Sequence, residues 1–217
     1  ESTGYVALLS RLRPALQHLN PELSSEALNL AIEELTRDRS LVSAVQANHE
    51  IYGLLKNGVK VKIADPEGGG ETVETVRVID WDAPANNDFL LASQLWSTGD
   101  MYTRRTDLLG FVNGLPLVFI ELKASHRQLK DAFDNNLRDY KTSIPQLFWY
   151  NAFIILSNGS ESVVGSITSE WDHFSEWKKI NTEGEEGVIS LETLIRGTCD
   201  RARLLDITEN FVLYKEA

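Results

Sequence analysis

Residues 107–123 read Asp107-Leu108-Leu109-Gly110-Phe111-Val112-Asn113-Gly114-Leu115-Pro116-Leu117-Val118-Phe119-Ile120-Glu121-Leu122-Lys123, and this stretch decides how the chain is built. Leu108 to Val112 and Pro116 to Leu122 are dense in strand-forming apolar residues, and Asn113-Gly114 between them is a hairpin signal. With a three-residue loop, Asn113-Gly114-Leu115, paired positions sum to 228, so Val112 faces Pro116 and Asp107 lies opposite Glu121. A two-residue loop would set Asp107 against Ile120 and turn Glu121 to the other face, unless a bulge restored the register. Along the second strand Phe119, Glu121 and Lys123 share one face, while Val118, Ile120 and Leu122 take the other.

Two carboxylates about 5 Å apart on neighbouring strands repel each other. A hard cation such as magnesium, bound through oxygen, relieves that repulsion. Lys123, on the Glu121 face, is within reach of an attacking water or a phosphate oxygen, where charge grows in a phosphodiester transition state. Asp107, Glu121 and Lys123 are therefore the candidate catalytic set, with Asp107 and Glu121 as metal ligands. The spacing acid-x13-Glu-x-Lys is loose, however, and the same residues at strand ends also form solvated ion pairs. Their surroundings must decide.

At 217 residues and 42% hydrophobic content the chain can bury a sizeable core as one domain with appended helices. Its apolar runs are far shorter than a membrane span, so no membrane partner is expected. A basic segment followed by an apolar stretch is missing from the N-terminus, and Cys199 is the only cysteine, which fits a reducing cytoplasm. The net charge of −11 argues against a freestanding nucleic-acid binder. The charge is uneven: residues 101–150 hold seven Lys or Arg and five Asp or Glu, a net of +2, so the remainder carries −13. That distribution describes a weakly basic cleft on an acidic body, able to act on DNA delivered to it but poor at gripping DNA unaided.

The order of elements is mixed α/β. Helical patterns cover Tyr5 to Leu19, broken by Asn20-Pro21, and a second helix capped by Ser24 or Ser25 and running to about Arg37. Leu41 to Leu55 continues helically or irregularly to Asn57-Gly58. Strands are expected at Val59 to Ala64 and Thr72 to Trp81, around the loop Asp65 to Glu71, and at Phe89 to Trp96. Beyond the Asp107–Lys123 hairpin come a helix from Gln128 to Tyr140 and a buried strand from Ala152 to Ser157. Val163 to Ile167 is its hairpin partner. Trp171, Phe174 and Trp177 read as core packing on a helical segment. A polar linker, Glu183 to Gly187, precedes a helix from Ser190 to about Leu213, which stops without a terminal signal, as if more protein followed. These elements divide into an N-terminal helical segment (1–40), a core (41–182) and a linker with closing helix (183–217).

Other chemistries lack their residues. No Gly-x4-Gly-Lys-Ser/Thr phosphate loop and no Gly-x-Ser-x-Gly elbow occurs, and Cys199 has no suggestive neighbours. His18, His49, His126 and His173 are scattered without zinc-ligand spacing. His126, three residues beyond Lys123, is a candidate phosphate contact.

Asn86-Asn87-Asp88-Phe89, Gln94, Arg105-Thr106-Asp107, Phe111 to Val118 and Ile120-Glu121-Leu122-Lys123 together resemble the N-terminal region of the restriction (R) subunit of type I restriction-modification enzymes. The likeness continues through Tyr140-Lys141, Ile144-Pro145, Leu147-Phe148, Tyr150-Asn151, Ser157-Asn158-Gly159, Val164-Gly165-Ser166 and Phe174-x-x-Trp177, covering about residues 40 to 180. The resemblance implies a PD-(D/E)xK nuclease fold, a central mixed β-sheet flanked by helices. It implies that Asp107, Glu121 and the Leu122 carbonyl hold Mg2+, with Mn2+ able to substitute, and that Lys123 is the motif lysine.

The resemblance further implies a Gln-x-x-x-Tyr associated with cleavage; Tyr140 fits the tyrosine, while Asn136, one methylene shorter, stands at the glutamine position. Arg105 and His126 are accessory DNA-binding candidates; an early-helix acid often assists the metal in this class, and Glu26 or Glu33 could serve, although solvated helix charge is the simpler reading of both. It also implies an ATP-driven motor outside this chain, double-stranded DNA as substrate, and modification and specificity subunits as partners. A rival reading, kept open by Asn136, is a nuclease-fold module that docks the motor or another subunit and no longer cuts.

Overall fold

The computed structural model describes residues 6–64, 68–99 and 101–214. Three helices come first: α1 (Leu9–Leu19), α2 (Ser25–Thr36) and α3 (Ala44–Asn57). Ser24 caps α2 by accepting from the Ala27 N–H at 3.1 Å, and Ser43 caps α3 by accepting from Gln46. Tyr5 and residues 65–67, within expected elements, lie outside the described residues. Among the described residues no helix is long and apolar enough to cross a membrane.

A two-stranded ribbon follows, β1 (Val59–Ala64) antiparallel to β2 (Glu71–Val76). The second strand was expected to reach Trp81. It ends early because the Asn20 side chain captures the next backbone groups, accepting from Arg77 N–H at 2.8 Å and donating to Arg77 O at 2.9 Å.

The central sheet has six strands in the order β10-β9-β8-β7-β6-β3. They are β3 (Phe89–Ser93), β6 (Leu108–Val112), β7 (Leu115–Leu122), β8 (Phe153–Ser157), β9 (Ser162–Gly165) and β10 (Ser175–Glu176). Only β7 and β8 pair in parallel, so the sheet is mixed, as expected. The parallel pair needs a crossover. It is supplied by a helix made of α4 (Leu129–Asp131), a π-helical stretch (Ala132–Leu137) and α5 (Arg138–Ser143). From Leu115 to Glu121 every β7 residue is buried, the signature of a strand covered on both faces. Two further strands, β4 (Trp96–Thr98) and β5 (Thr103–Arg105), pair with each other outside the sheet.

The β6–β7 turn has two residues, not three. Asn113 (φ 51°) and Gly114 (φ 80°) both have positive φ, as primed hairpin turns require, and Val112 pairs with Leu115. The Asn113 side chain is fully buried, donating to Val78 O and Asn87 Oδ1 and accepting from the Asp88 N–H. Only glycine fits at 114, because a β-carbon there would lie 2.6 Å from Leu8 O and 2.7 Å from Leu12 N. Two strand residues further on, a bulge corrects the register. Phe111 faces Pro116, but Gly110 faces Val118, leaving Leu117 as the extra residue. From there Leu109 pairs with Phe119 and Leu108 with Ile120, so the 228 sum is restored; carried one residue past the end of β6, it sets Asp107 against Glu121, and the Asp107 carboxylate accepts from the next residue, Leu122.

Three further elements depart from expectation. Phe89–Trp96 is interrupted at Gln94, whose φ is 54°. The aromatic segment is not a helix: Trp171–His173 is a 3-10 turn and Ser175–Glu176 pairs with β9, because Phe174 lies across Gly165 and beside Phe133, with ring centres 5.5 Å apart. The expected closing helix splits into α6 (Ser190–Thr198) and α7 (Arg201–Asp206), since Asp200 caps a new start by accepting from the Arg203 N–H.

Candidate active site

Asp107 stands between β5 and β6, and its Oδ2 accepts the backbone N–H of Leu122 at 2.8 Å. In extended backbone the N–H and C=O of one residue address the same neighbour, so the Leu122 carbonyl is aimed to the Asp107 side as well. Glu121, across from Asp107, is 3% exposed. Its Oε1 accepts from Asn136 Nδ2 at 2.6 Å and Lys123 Nζ at 3.3 Å. The other oxygen, Oε2, is buried with no partner. Lys123 is placed by its backbone N–H, which donates to Ser157 O at 2.7 Å on the parallel neighbour β8.

Burial, then the nearby Asp107 charge, pushes the Glu121 carboxyl up to about 7, against the opposing pull of Lys123 and Asn136. A buried oxygen without a donor beside a second carboxylate is an electrostatic deficit that a divalent cation fits. Among the described residues no third His, Cys, Asp or Glu side chain gathers with this pair. A bound ion would therefore take its remaining ligands from the Leu122 carbonyl, water or substrate.

The structure brings Asp107, Glu121, Lys123 and Asn136 together and sorts the remaining candidates. Tyr140 is buried, its ring edge-on to Phe119, and its hydroxyl donates to Arg105 O at 2.6 Å. Burial first, then Glu121, raises its phenol well above the usual range, so it stays neutral. Tyr140 holds the strand that leads into Asp107 and offers no free hydroxyl to DNA. Arg105 is exposed, with its guanidinium 5.7 Å from the Trp96 ring centre. His126 is exposed in the turn after β7. Glu26 and Glu33 are solvent-exposed on α2 and do not join the acid pair.

Residues 1–173 match the family described as type I restriction enzyme R protein N terminus. The chain belongs to that family. It is 32% identical over 217 residues to the type I restriction enzyme HindI endonuclease subunit of Haemophilus influenzae, covering 97% of this chain and 20% of that one. It is 29% identical over 239 residues to the putative type I restriction enzyme MjaIXP endonuclease subunit of Methanocaldococcus jannaschii, covering 99% and 22%. A shorter stretch of 84 residues is 36% identical to the SauCOLORF180P endonuclease subunit of Staphylococcus aureus, covering 39% of this chain and 9% of that one. The chain spans about a fifth of the length of the first two relatives.

Several blocks that carried the family resemblance now have structural work. Asn87 joins two loops, accepting from Asp80 N–H and Asn113 Nδ2, and Asp88 takes a paired bond from Arg11 at 2.7 and 2.8 Å. Asn151 donates to Leu117 O, at the bulge that sets the Asp107–Glu121 register. Sequence reasoning missed the π-helical turn that delivers Asn136, and it missed the β4–β5 pair. The alternation Trp96-Ser97-Thr98 and Thr103-Arg104-Arg105 was the available signal for the latter.

Proposed function

We propose that this R-protein N-terminal chain is a metal-dependent endonuclease module that hydrolyses phosphodiester bonds of double-stranded DNA. The buried Glu121 Oε2, left without a hydrogen-bond partner while the charge of Asp107 acts on the same carboxyl, is the observation that carries the reading. Asp107, Glu121 and the Leu122 carbonyl would hold Mg2+, or Mn2+ in its place. When bound, such an ion supplies Lewis-acid polarisation and a water made acidic enough to ionise.

The chain's own residues do the rest. Leu122 N–H fixes Asp107, and Asn136 fixes Glu121 with Oε2 left open. Glu121 must be ionised to bind a cation, and the bonds from Asn136 and Lys123 favour that form. Lys123, one-fifth exposed, presents its ammonium to the negative charge that develops on the phosphoryl oxygens.

The endonuclease name of the relatives and the chain's share of their length support a division of labour. DNA would be brought to this acidic module in the cytoplasm by an ATP-driven motor outside the chain, with modification and specificity subunits recognising the site. The isolated chain is expected to cut weakly or not at all.

The test is Asp107→Ala, Glu121→Ala and Lys123→Ala in the complete enzyme. Each should abolish cutting while circular dichroism and melting remain those of a folded protein. Full cutting by any two would refute the reading. Calorimetry on the chain separates it from a silent docking module, which would show no Mn2+ binding dependent on Asp107 and Glu121.

A further inference from the structure

The pairs β3–β6 and β4–β5 are parts of one hairpin. Along both, partner numbers sum to 201, from Phe89 opposite Val112 to Thr98 opposite Thr103. Two backbone bonds carry that register across the gap: Gln94 N–H to Asp107 O at 2.9 Å and Thr106 N–H to Leu95 O at 3.0 Å. The hairpin is bent there rather than ended, with Gln94 in the left-handed region opposite Asp107. Its inner half belongs to the central sheet. Its outer half leaves as a two-stranded arm with Asp107 at the elbow.

The arm has two unlike faces, as alternation along paired strands requires. The inner face is fastened to the helix that carries Asn136 and Tyr140. Ser97 is buried, Arg104 donates to Asp139 Oδ1 at 3.0 Å, Gln146 donates to Thr98 O at 3.0 Å, and Tyr140 reaches Arg105 O. At Gly99 a β-carbon would stand 2.2 Å from Ser143 O, so the arm's backbone lies directly on the last turn of α5. The outer face carries Trp96 cross-strand from Arg105, whose guanidinium lies 5.7 Å from the indole centre, and Thr98 cross-strand from Thr103, their hydroxyls 3.2 Å apart. Met101 and Tyr102 near the tip are 82% and 51% exposed.

This outer face opposes the rest of the chain in charge. Among the described residues Arg105 forms no ion pair, whereas Arg104 on the inner face is neutralised by Asp139. The outward pairs of the arm bear a cation, an indole and two hydroxyls, and no carboxylate, on a chain of net charge −11. Guanidinium groups, hydroxyls and backbone N–H groups are the donors that contact the phosphates and sugars of duplex DNA. A guanidinium within cation–π range of an indole is restrained by that contact and keeps its N–H donors for a phosphate.

We infer that the outward face of β4 (Trp96–Thr98) and β5 (Thr103–Arg105) grips the sugar–phosphate backbone of duplex DNA beside the acid pair. The inference rests on the nuclease reading for the place of the scissile phosphate. Because the elbow is Asp107 and the inner face is tied to the helix that holds Glu121, a duplex seated on the arm is held in register with both acids.

The test uses the whole protein bound to an end-labelled DNA duplex. A photoreactive benzophenone side chain placed at Thr103, on the outer face, should give a covalent DNA adduct on irradiation, and adding Trp96→Ala with Arg105→Gln should reduce its yield several-fold. The double variant should also cut several-fold more slowly while binding Mn2+ with unchanged affinity, since Asp107 and Glu121 are untouched. Adducts to protein alone, or parental adduct yield and unreduced cutting with the double substitution, would overturn the arm. If Asp107→Ala and Glu121→Ala cut normally while the DNA adduct still forms, the acid-pair assignment fails and the arm stands.

Discussion

The amide of Asn136 donates to Glu121 Oε1 at 2.6 Å, so a residue 15 positions downstream on the crossover helix sets the orientation of the buried acid. Tyr140, one turn later, ties the same helix to Arg105 O, two residues before Asp107. One helix therefore holds Glu121 and the strand that leads into Asp107. The surrounding Ala132–Leu137 stretch is π-helical, a local widening often found at functional sites. Asn136→Ala removes a bond to a charged group, worth about 1.5–3 kcal/mol. We expect Mn2+ affinity near neutral pH to fall about tenfold or more, read by calorimetry; unchanged affinity would show that Asn136 does not position Glu121.

Glu121 makes metal-free stability depend on pH. Its folded value is about 7 against an ordinary 4.5, so between these limits the folded state retains a proton that the unfolded chain has lost. Stability therefore falls as pH rises from 4.5 to 7 and then levels, by on the order of 3 kcal/mol from this group. Urea unfolding in a chelator should show that slope in the parent protein and its loss in Glu121→Gln. A parent protein that gains stability over the same interval would contradict the assignment.

Tyr140→Phe keeps the ring against Phe119 but leaves the Arg105 carbonyl without its donor. The cost should be about 1–2 kcal/mol in chemical denaturation. Amide exchange should quicken at Thr106, whose N–H bonds to Leu95 O beside the elbow. Exchange that stays at the parental rate would mean the strand is held by other contacts.

Two glycines with similar backbone angles should respond differently to alanine. Gly159 (φ 88°) has open space around its missing β-carbon, so Gly159→Ala should cost about 1 kcal/mol of backbone strain. Gly114 (φ 80°) faces Leu8 O and Leu12 N within 2.7 Å, so Gly114→Ala adds a clash with α1 to the same strain and should cost about 3 kcal/mol or more. Equal melting temperatures for the two variants would remove the turn–helix contact from the account.

Local chemistry made much of this molecule readable from its residues. The positive φ of Asn113-Gly114, the apolar runs on either side and the Ser24 cap act over a few residues, and the strands Leu108–Val112 and Val59–Ala64 came out with the bounds the pattern predicted. The opposition of Asp107 and Glu121 was legible too, although by a different route: a two-residue turn offset by a bulge at Leu117. No sequence pattern distinguishes that combination from a three-residue loop, because both give the same alternation beyond the bulge. Tertiary packing decided the rest. The end of β2 at Val76 depends on Asn20, 57 residues from Arg77; the path of the aromatic segment depends on Phe174 covering Gly165; the orientation of Glu121 depends on a helix brought back by the parallel crossover. Turn and capping signals act between neighbours in the chain, whereas hydrogen bonds and ring contacts between distant segments exist only once burial has brought those segments together.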